Sequence, residues 1–296
     1  MSRKGWLLFA SLCLIWGIPY LFIRVAVQEM SPATLVFFRT LPAALILTPV
    51  ALHRRQFRAL KGSWLWVIVY GLVEVAVPWI LLSHAEQRIT SSLAGLLIAM
   101  VPLIGVVLYR LAGVADHLDG RRLIGLAIGF AGVAALVGLD LGGGQPWAVS
   151  EVCAVAMCYA TGPLIISRRL AELPGLAVIS SSLVLTAAIY APLALTHLPV
   201  HVSAATVGSI AGLSVVCTAL AFILFFALIL EVGPARATVI TYVNPLVAVL
   251  LGVALLSEPF TVGIAVGLPL ILAGSILGTA PPLRRGTGGA TAGPHA

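Results

Sequence analysis

Charge is what this chain has least of. Asp, Glu, Lys and Arg make up 9% of its 296 residues, where a soluble chain carries about a quarter. With 60% hydrophobic residues and a mean hydropathy of +1.11, the chain cannot clothe a water-facing surface. That excludes a soluble globular protein and indicates an integral membrane one. Cysteine is scarce too: Cys13, Cys153, Cys158 and Cys217 fall in or beside apolar stretches with no Cys-x-x-Cys pair. They read as small hydrophobes and offer neither a disulfide framework nor a metal site. A Gly-rich Walker sequence is absent, so ATP does not drive the protein directly, and no cofactor is expected.

The sequence also lacks what a membrane-embedded enzyme needs, namely a Ser–His pair, an Asp pair or a zinc site at membrane depth. His53, His117, His197, His201 and His295 fall in loops or the tail, His84 stands at a span end, and no aspartate lies within a span. An enzyme is therefore not expected. A sensor or assembly partner would need a long tail or a protein-facing domain, and the loops are too short for either.

Apolar runs bounded by Pro, Gly or charge clusters divide the chain at about 5–24, 32–52, 63–83, 90–112, 121–139, 148–168, 174–195, 204–230, 235–256 and 260–280. At about 20 residues per crossing, these are ten transmembrane helices with no room for a soluble domain. The net charge of +7 and pI near 9.7 point to topology and not to nucleic acid. With the amino terminus inside, 14 of the 17 basic residues, including Arg3, Lys4, Arg54, Arg55, Arg58, Lys61, Arg236, Arg284 and Arg285, fall on the inner side. Arg24 and Arg88 alone fall outside, and Arg39 lies within a span, which places both termini in the cytoplasm. The stretch 281–296 is rich in Gly, Thr and Ala and reads as a disordered tail.

An internal repeat is legible. Pro49-Val50-Ala51-Leu52 recurs as Pro192-Leu193-Ala194-Leu195 and Pro102 as Pro245, both at an offset of 143; Gly125-Leu126 and Ala131-Gly132 recur one residue short of it. The expected architecture is an all-α membrane protein of two five-helix repeats, 5–139 and 148–280. Five is odd, so the second repeat enters from the opposite side and the repeats are inverted, as in many secondary transporters.

These residues resemble the drug/metabolite transporter superfamily, specifically its EamA-type members. The resemblance rests on Trp16-Gly17, on Arg39 followed by Thr40-Leu41-Pro42-Ala43-Ala44, and on Ser91-Ser92-Leu93-Ala94-Gly95-Leu96-Leu97 leading to Val101-Pro102. The second half adds Asn244-Pro245, Ser257-Glu258-Pro259 and Gly267 to Gly274. Where family members often carry Gly-Glu after the fourth span, this chain has Ala115-Asp116. The resemblance covers about residues 5–280 and implies inner-membrane efflux or uptake of amino acids, metabolites or drugs, with export the direction favoured by analogy. Uptake by the same fold, and flipping of a lipid or lipid-linked solute, remain open.

Charge inside a span marks where chemistry is to be sought, and the reading singles out Arg39 and Glu74. Seven and nine residues from the outer ends of their helices, they differ in depth by about 3 Å and are expected to form an ion pair. Whether the pair fixes packing or couples transport to protons stays open. Tyr70, Glu74 and Pro78 follow at i, i+4 steps on one face, and Pro78 frees a carbonyl beside Glu74. Trp16 and Trp79 lie deep and correspond at the 143 offset to Tyr159 and Phe222, an aromatic set suited to an amphipathic or cationic solute. Thr241 and Asn244 precede Pro245 and offer polar groups either to solute or to a neighbouring helix. Trp6, Trp64, Trp66 and Trp147 at span ends read as interfacial anchors. Gly125, Gly129, Gly132, Gly267 and Gly274 permit close contact within the bundle or between protomers of a homodimer. With a single Arg at the centre, polyanionic solutes are not expected.

Overall fold

The computed structural model describes residues 1–113, 120–140, 145–233 and 237–279, apart from the side chains of Asp140 and Thr238. The expected tail at 281–296, Ala115-Asp116, His117, Arg236, Arg284, Arg285 and His295 lie outside the described residues.

Ten helices are long and apolar enough to cross a membrane, and no strand occurs among the described residues. Spans 1 to 5 are Arg3–Ala26, Pro32–His53, Trp64–Ala85, Ser91–Leu111 and Gly120–Leu139. Spans 6 to 10 are Pro146–Leu170, Gly175–Thr196, Ala204–Val232, Val239–Leu256 and Val262–Thr279. An even number of crossings leaves Arg3 and Thr279, the outer limits of the first and last spans, at the same end of the bundle.

Span 2 packs along span 7, span 4 along span 9 and span 5 along span 10, while span 3 lies on span 6 and span 1 on span 8. Exchanging spans 1 to 5 with spans 6 to 10 returns the same set of pairs. Bare glycine surfaces bring spans 5 and 10 closest: a Cβ on Gly274 would overlap the backbone of Gly129, and one on Gly125 the backbone of Gly278. Small residues at helix contacts substitute for the hydrophobic drive that lipid removes. Side chains such as Leu7, Leu111 and Leu230 stay exposed on the outside of the bundle, as a lipid-facing surface requires.

Five spans are interrupted near their middles, each for a local reason. Span 1 breaks at Trp16-Gly17-Ile18, where Pro19 starts the second segment and a Cβ on Gly17 would overlap Val247 of span 9. Span 3 holds a π-helical turn at Leu72–Ala76. Pro78 cannot donate to the Glu74 carbonyl, so the ladder slips there. Beside the turn, the Ala76 carbonyl accepts a hydrogen bond from the Tyr190 hydroxyl of span 7 at 3.0 Å. Span 4 breaks at Ala99-Met100 ahead of Val101-Pro102, and span 9 changes from a 3-10 turn, Thr238–Tyr242, to a helix that begins at Asn244-Pro245. Span 8 carries a longer π-helical stretch, Gly212–Leu220. The breaks in spans 4 and 9 lie 143 residues apart, and adding 143 to the π turn of span 3 lands within that of span 8.

Candidate functional site: a divided charge pair at mid-membrane

Arg39 and Glu74 do not meet. The only salt bridge among the described residues joins His84 to Glu151, so the expected ion pair is not formed. The buried Arg39 guanidinium lies over the Trp79 ring, with Cζ 3.5 Å from its centroid, and its Nε donates to the Thr218 hydroxyl at 3.3 Å. Thr218 is presented by the π stretch of span 8 and itself donates to the Leu213 carbonyl, five residues back, at 2.7 Å. Glu74 turns instead to span 6. Its carboxylate rests over Gly162, where any Cβ would overlap it, and Oε2 is shielded with no hydrogen-bond partner.

Depth along the helix suggests that the two groups are level, but Arg39 meets span 3 at Trp79, five residues beyond Glu74, while Glu74 stands inside the π turn and faces span 6. The face drawn through Tyr70, Glu74 and Pro78 is likewise divided. Tyr70 packs with Leu60, Val67 and Leu170 towards the terminal end of the bundle, whereas Pro78 begins a new helical segment beyond the turn.

The aromatics converge. Trp16 lies edge-on to Phe222 at 6.0 Å and tilted against Phe225 at 4.9 Å. Phe222 and Tyr159 both pack on the cluster that holds Trp79. The four residues singled out in the sequence thus form one connected set, whose Trp79 member carries Arg39. Asn244 is otherwise engaged. In the amide orientation that satisfies its surroundings, Nδ2 donates to the Ile240 carbonyl at 2.9 Å and to the Cys13 carbonyl at 3.1 Å. Its amide nitrogen therefore ties span 9 to span 1 beside the break at Trp16. Thr241 is half-buried in the same 3-10 turn. Pro102 and Pro245 each stand in the first turn of the segment after a break.

Three carboxylates away from this centre escaped the sequence reading. Glu151 is a further carboxylate inside span 6; its Oε1 bonds His84 Nδ1 at 2.7 Å, and Arg88 donates to His84 Nε2 at 3.0 Å. Glu258 was noted as part of a motif, but not its partners. Its Oε1 accepts the Ser91 amide at 2.7 Å and hydroxyl at 2.9 Å, and its Oε2 accepts the Ser92 amide at 2.9 Å and hydroxyl at 2.5 Å. Together with Thr90, whose hydroxyl accepts the Leu93 amide at 3.2 Å, this satisfies the first three amides of span 4. Glu86, just past span 3, is completely buried with neither carboxylate oxygen hydrogen-bonded.

Trp6, Trp64 and Trp147 are exposed at span ends, while Trp66 is half-buried under Arg169, whose Cζ lies 4.5 Å from its ring centroid. No group of three or more potential metal ligands occurs among the described residues. A separate apolar cleft of about 430 Å³ runs between spans 2 and 7, lined by Phe37, Leu41, Thr48, Pro49, Val184 and Ala191 among others.

Relatives decide the class of this bundle of broken spans. The model of the EamA-like transporter family matches residues 3–138 and again 146–279. The chain belongs to the EamA-like transporter family. It is a multi-pass membrane protein of a transporter family, not of an enzyme family. The uncharacterized inner membrane transporter YedA of Escherichia coli K12 is 32% identical over 262 residues, covering 85% of this chain and 82% of YedA. The uncharacterized transporter YvbV of Bacillus subtilis is 24% identical, covering 90% of this chain and 88% of YvbV. Protein PecM of Dickeya dadantii is 22% identical, with 89% and 88% covered. A solved crystal structure, 21% identical, superposes with a TM-score of 0.67 over 94% of this chain and 97% of that one, which supports the fold alone.

Proposed function

We propose that the chain is an inner-membrane exporter of small neutral, zwitterionic or amphipathic metabolites that works by alternating access. The observation that carries this reading is the divided pair: Arg39 is held by an aromatic face and a hydroxyl, and Glu74 by nothing but a glycine surface. A cation and an anion that do not neutralise each other are free to receive opposite ends of a solute. A carboxylate or other acceptor on the solute would take the guanidinium fork, an ammonium would take Glu74, and an apolar body would lie among Trp16, Tyr159 and Phe222. An empty site leaves Glu74 needing a proton, since an unpaired intramembrane charge costs about 3 kcal/mol on insertion scales. Exchange of that proton for the solute would couple the two.

Alternating access needs elements with two arrangements. The π turns of spans 3 and 8 and the breaks of spans 1, 4 and 9 surround the divided pair and supply them. Support for two inverted repeats comes from the family model matching once in each half, the 143-residue spacing of the breaks, and a span pairing that survives exchange of the halves. Orientation with both termini inside rests on the placement of Lys and Arg, and the inner membrane on the name of a relative. Export is by analogy with the family, because gradients set net flow through a reversible cycle.

The test is a growth-inhibition screen of an expressing strain against amino acids, their analogues and toxic amphiphiles. A protected class is then followed as labelled solute in reconstituted vesicles. Protection by one class, with matching flux that depends on Arg39 and Glu74, is the expected result; a flat panel would sink the export reading. The apolar cleft between spans 2 and 7 favours a second reading, movement of a lipid, and scrambling of a labelled lipid in the same vesicles without solute flux would establish it instead.

A further inference from the structure

Glu86 has no place in the solute site, yet among the described residues it is a fully buried carboxyl with both oxygens unpartnered. It follows the last residue of span 3 at the end of the bundle away from the termini, and its side chain is fully buried. Neither oxygen has a hydrogen-bond partner among the described residues. The charged and titratable groups around it are Tyr20 and Arg24 of span 1, Arg39 of span 2 and Glu258 from the connection between spans 9 and 10. Those that might have neutralised it are occupied. Arg24 Nη1 donates to the Glu86 backbone carbonyl, Arg39 lies on Trp79, and the His84, Arg88 and Glu151 group closes on itself. Glu258 adds a like charge that is already fixed by four donors from Ser91 and Ser92.

Two neighbouring carboxylates in a dry site do not both ionise. Of these two, Glu258 has its donors and Glu86 does not, so the proton falls to Glu86. Burial first, and the Glu258 charge second, hold the Glu86 carboxyl well above the usual range, while Arg24 and Arg39 oppose this with smaller effect. A neutral carboxyl tolerates this packing. An ionised one needs water, which it obtains only if the ends of spans 1, 3 and 4 move apart.

We propose that Glu86 is a proton-binding latch: with its proton it lets the ends of spans 1, 3 and 4 close over the site, and on losing it opens them to water. The sign follows from the raised affinity for the proton. The closed end is favoured at low pH and is lost as pH rises through the titration of the buried carboxyl. On an outward-facing side, closure would draw its proton from the outside medium. That consequence, though not the proton site itself, rests on the transporter reading above.

Infrared spectra of the full chain in vesicles read the proton directly. The wild-type minus Glu86→Gln difference at neutral pH should contain the C=O stretch of a protonated acid. Hydrogen exchange over residues 86–98, corrected for intrinsic rates, should rise by about tenfold or more as pH rises through the titration of that band in wild type and stay low in Glu86→Gln, which mimics the protonated form. A difference spectrum without the band, or a Gln variant with the same pH response as wild type, would overturn the latch. If Glu86→Gln does not fold, two other variants decide. Arg24→Gln should move the titration of the band upward and Glu258→Gln should move it downward; no movement, or movement in one direction for both, would reject the proposal. A band that behaves as expected in a protein that moves no solute would retain the proton site and discard the transporter reading.

Discussion

Glu258 and Glu74 are the same residue type placed in similar steric settings, each with its carboxylate laid over a glycine, Gly252 for one and Gly162 for the other. Glu258 accepts four hydrogen bonds and completes the start of span 4. Glu74 has an Oε2 with none. Burial alone therefore does not identify a working charge in a membrane protein. A carboxylate whose lone pairs are filled by the fold is part of the scaffold, and one left unfilled by a fold able to fill it is available to a proton or a ligand.

Removing the filled group should have the largest effect. Glu258→Ala strands two amides and two hydroxyls at the completely buried residues Ser91 and Ser92, which should cost about 3–5 kcal/mol of stability. Thermal unfolding in detergent should show a fall of many degrees with loss of monodisperse protein. An unchanged melting temperature would mean that the cap is replaceable and the contrast with Glu74 empty.

Removing the unfilled group should do the opposite. Glu74→Gln should leave the melting temperature nearly unchanged while cutting solute flux by about tenfold or more and abolishing its dependence on a proton gradient. Full, proton-dependent transport in reconstituted vesicles would end the coupling role. Gly162→Ala sharpens the point without touching a charge, since the new methyl would occupy the space of the Glu74 carboxylate. A flux loss approaching that of Glu74→Gln is expected, and wild-type flux would show that the carboxylate has no fixed position. Arg39→Lys should be milder. It keeps the charge but gives up the guanidinium contact with Trp79 and the Nε bond to Thr218, a change of about 1–2 kcal/mol in solute affinity visible as a raised KM.

The same contrast explains how far the sequence could be read. Span number and approximate limits were legible because hydropathy is a local property, and Pro78, Pro102 and Pro245 stand where spans 3, 4 and 9 lose regular hydrogen bonding because proline acts on its own turn. The convergence of Trp16, Trp79, Tyr159 and Phe222 was legible through the repeat. Partnership was not. Depth makes Arg39 and Glu74 look like mates, whereas Arg39 lies on Trp79 and Glu74 faces Gly162; Glu258 finds its serines 166 and 167 residues away. Which neighbour a side chain faces depends on helix azimuth and packing, and a single sequence with one intramembrane Arg does not encode those in any short window.

Glu29 provides the smallest test, because it caps a helix start as Glu258 does but in water. It lies in the connection between spans 1 and 2, and its Oε2 accepts the amide of Ser203, the residue that precedes the first helical segment of span 8, at 2.8 Å. The bonds from Ser203 hold its carboxyl below the usual range. A depressed carboxyl stabilises above its unfolded titration and loses that contribution as pH falls through its folded one. Solvent replaces an exposed acceptor at little loss, so Glu29→Gln should barely move the melting temperature at neutral pH and should slightly flatten its decline in acid. A drop comparable with that of Glu258→Ala would show that the number of hydrogen bonds, and not their isolation from water, sets what a carboxylate cap contributes in this fold.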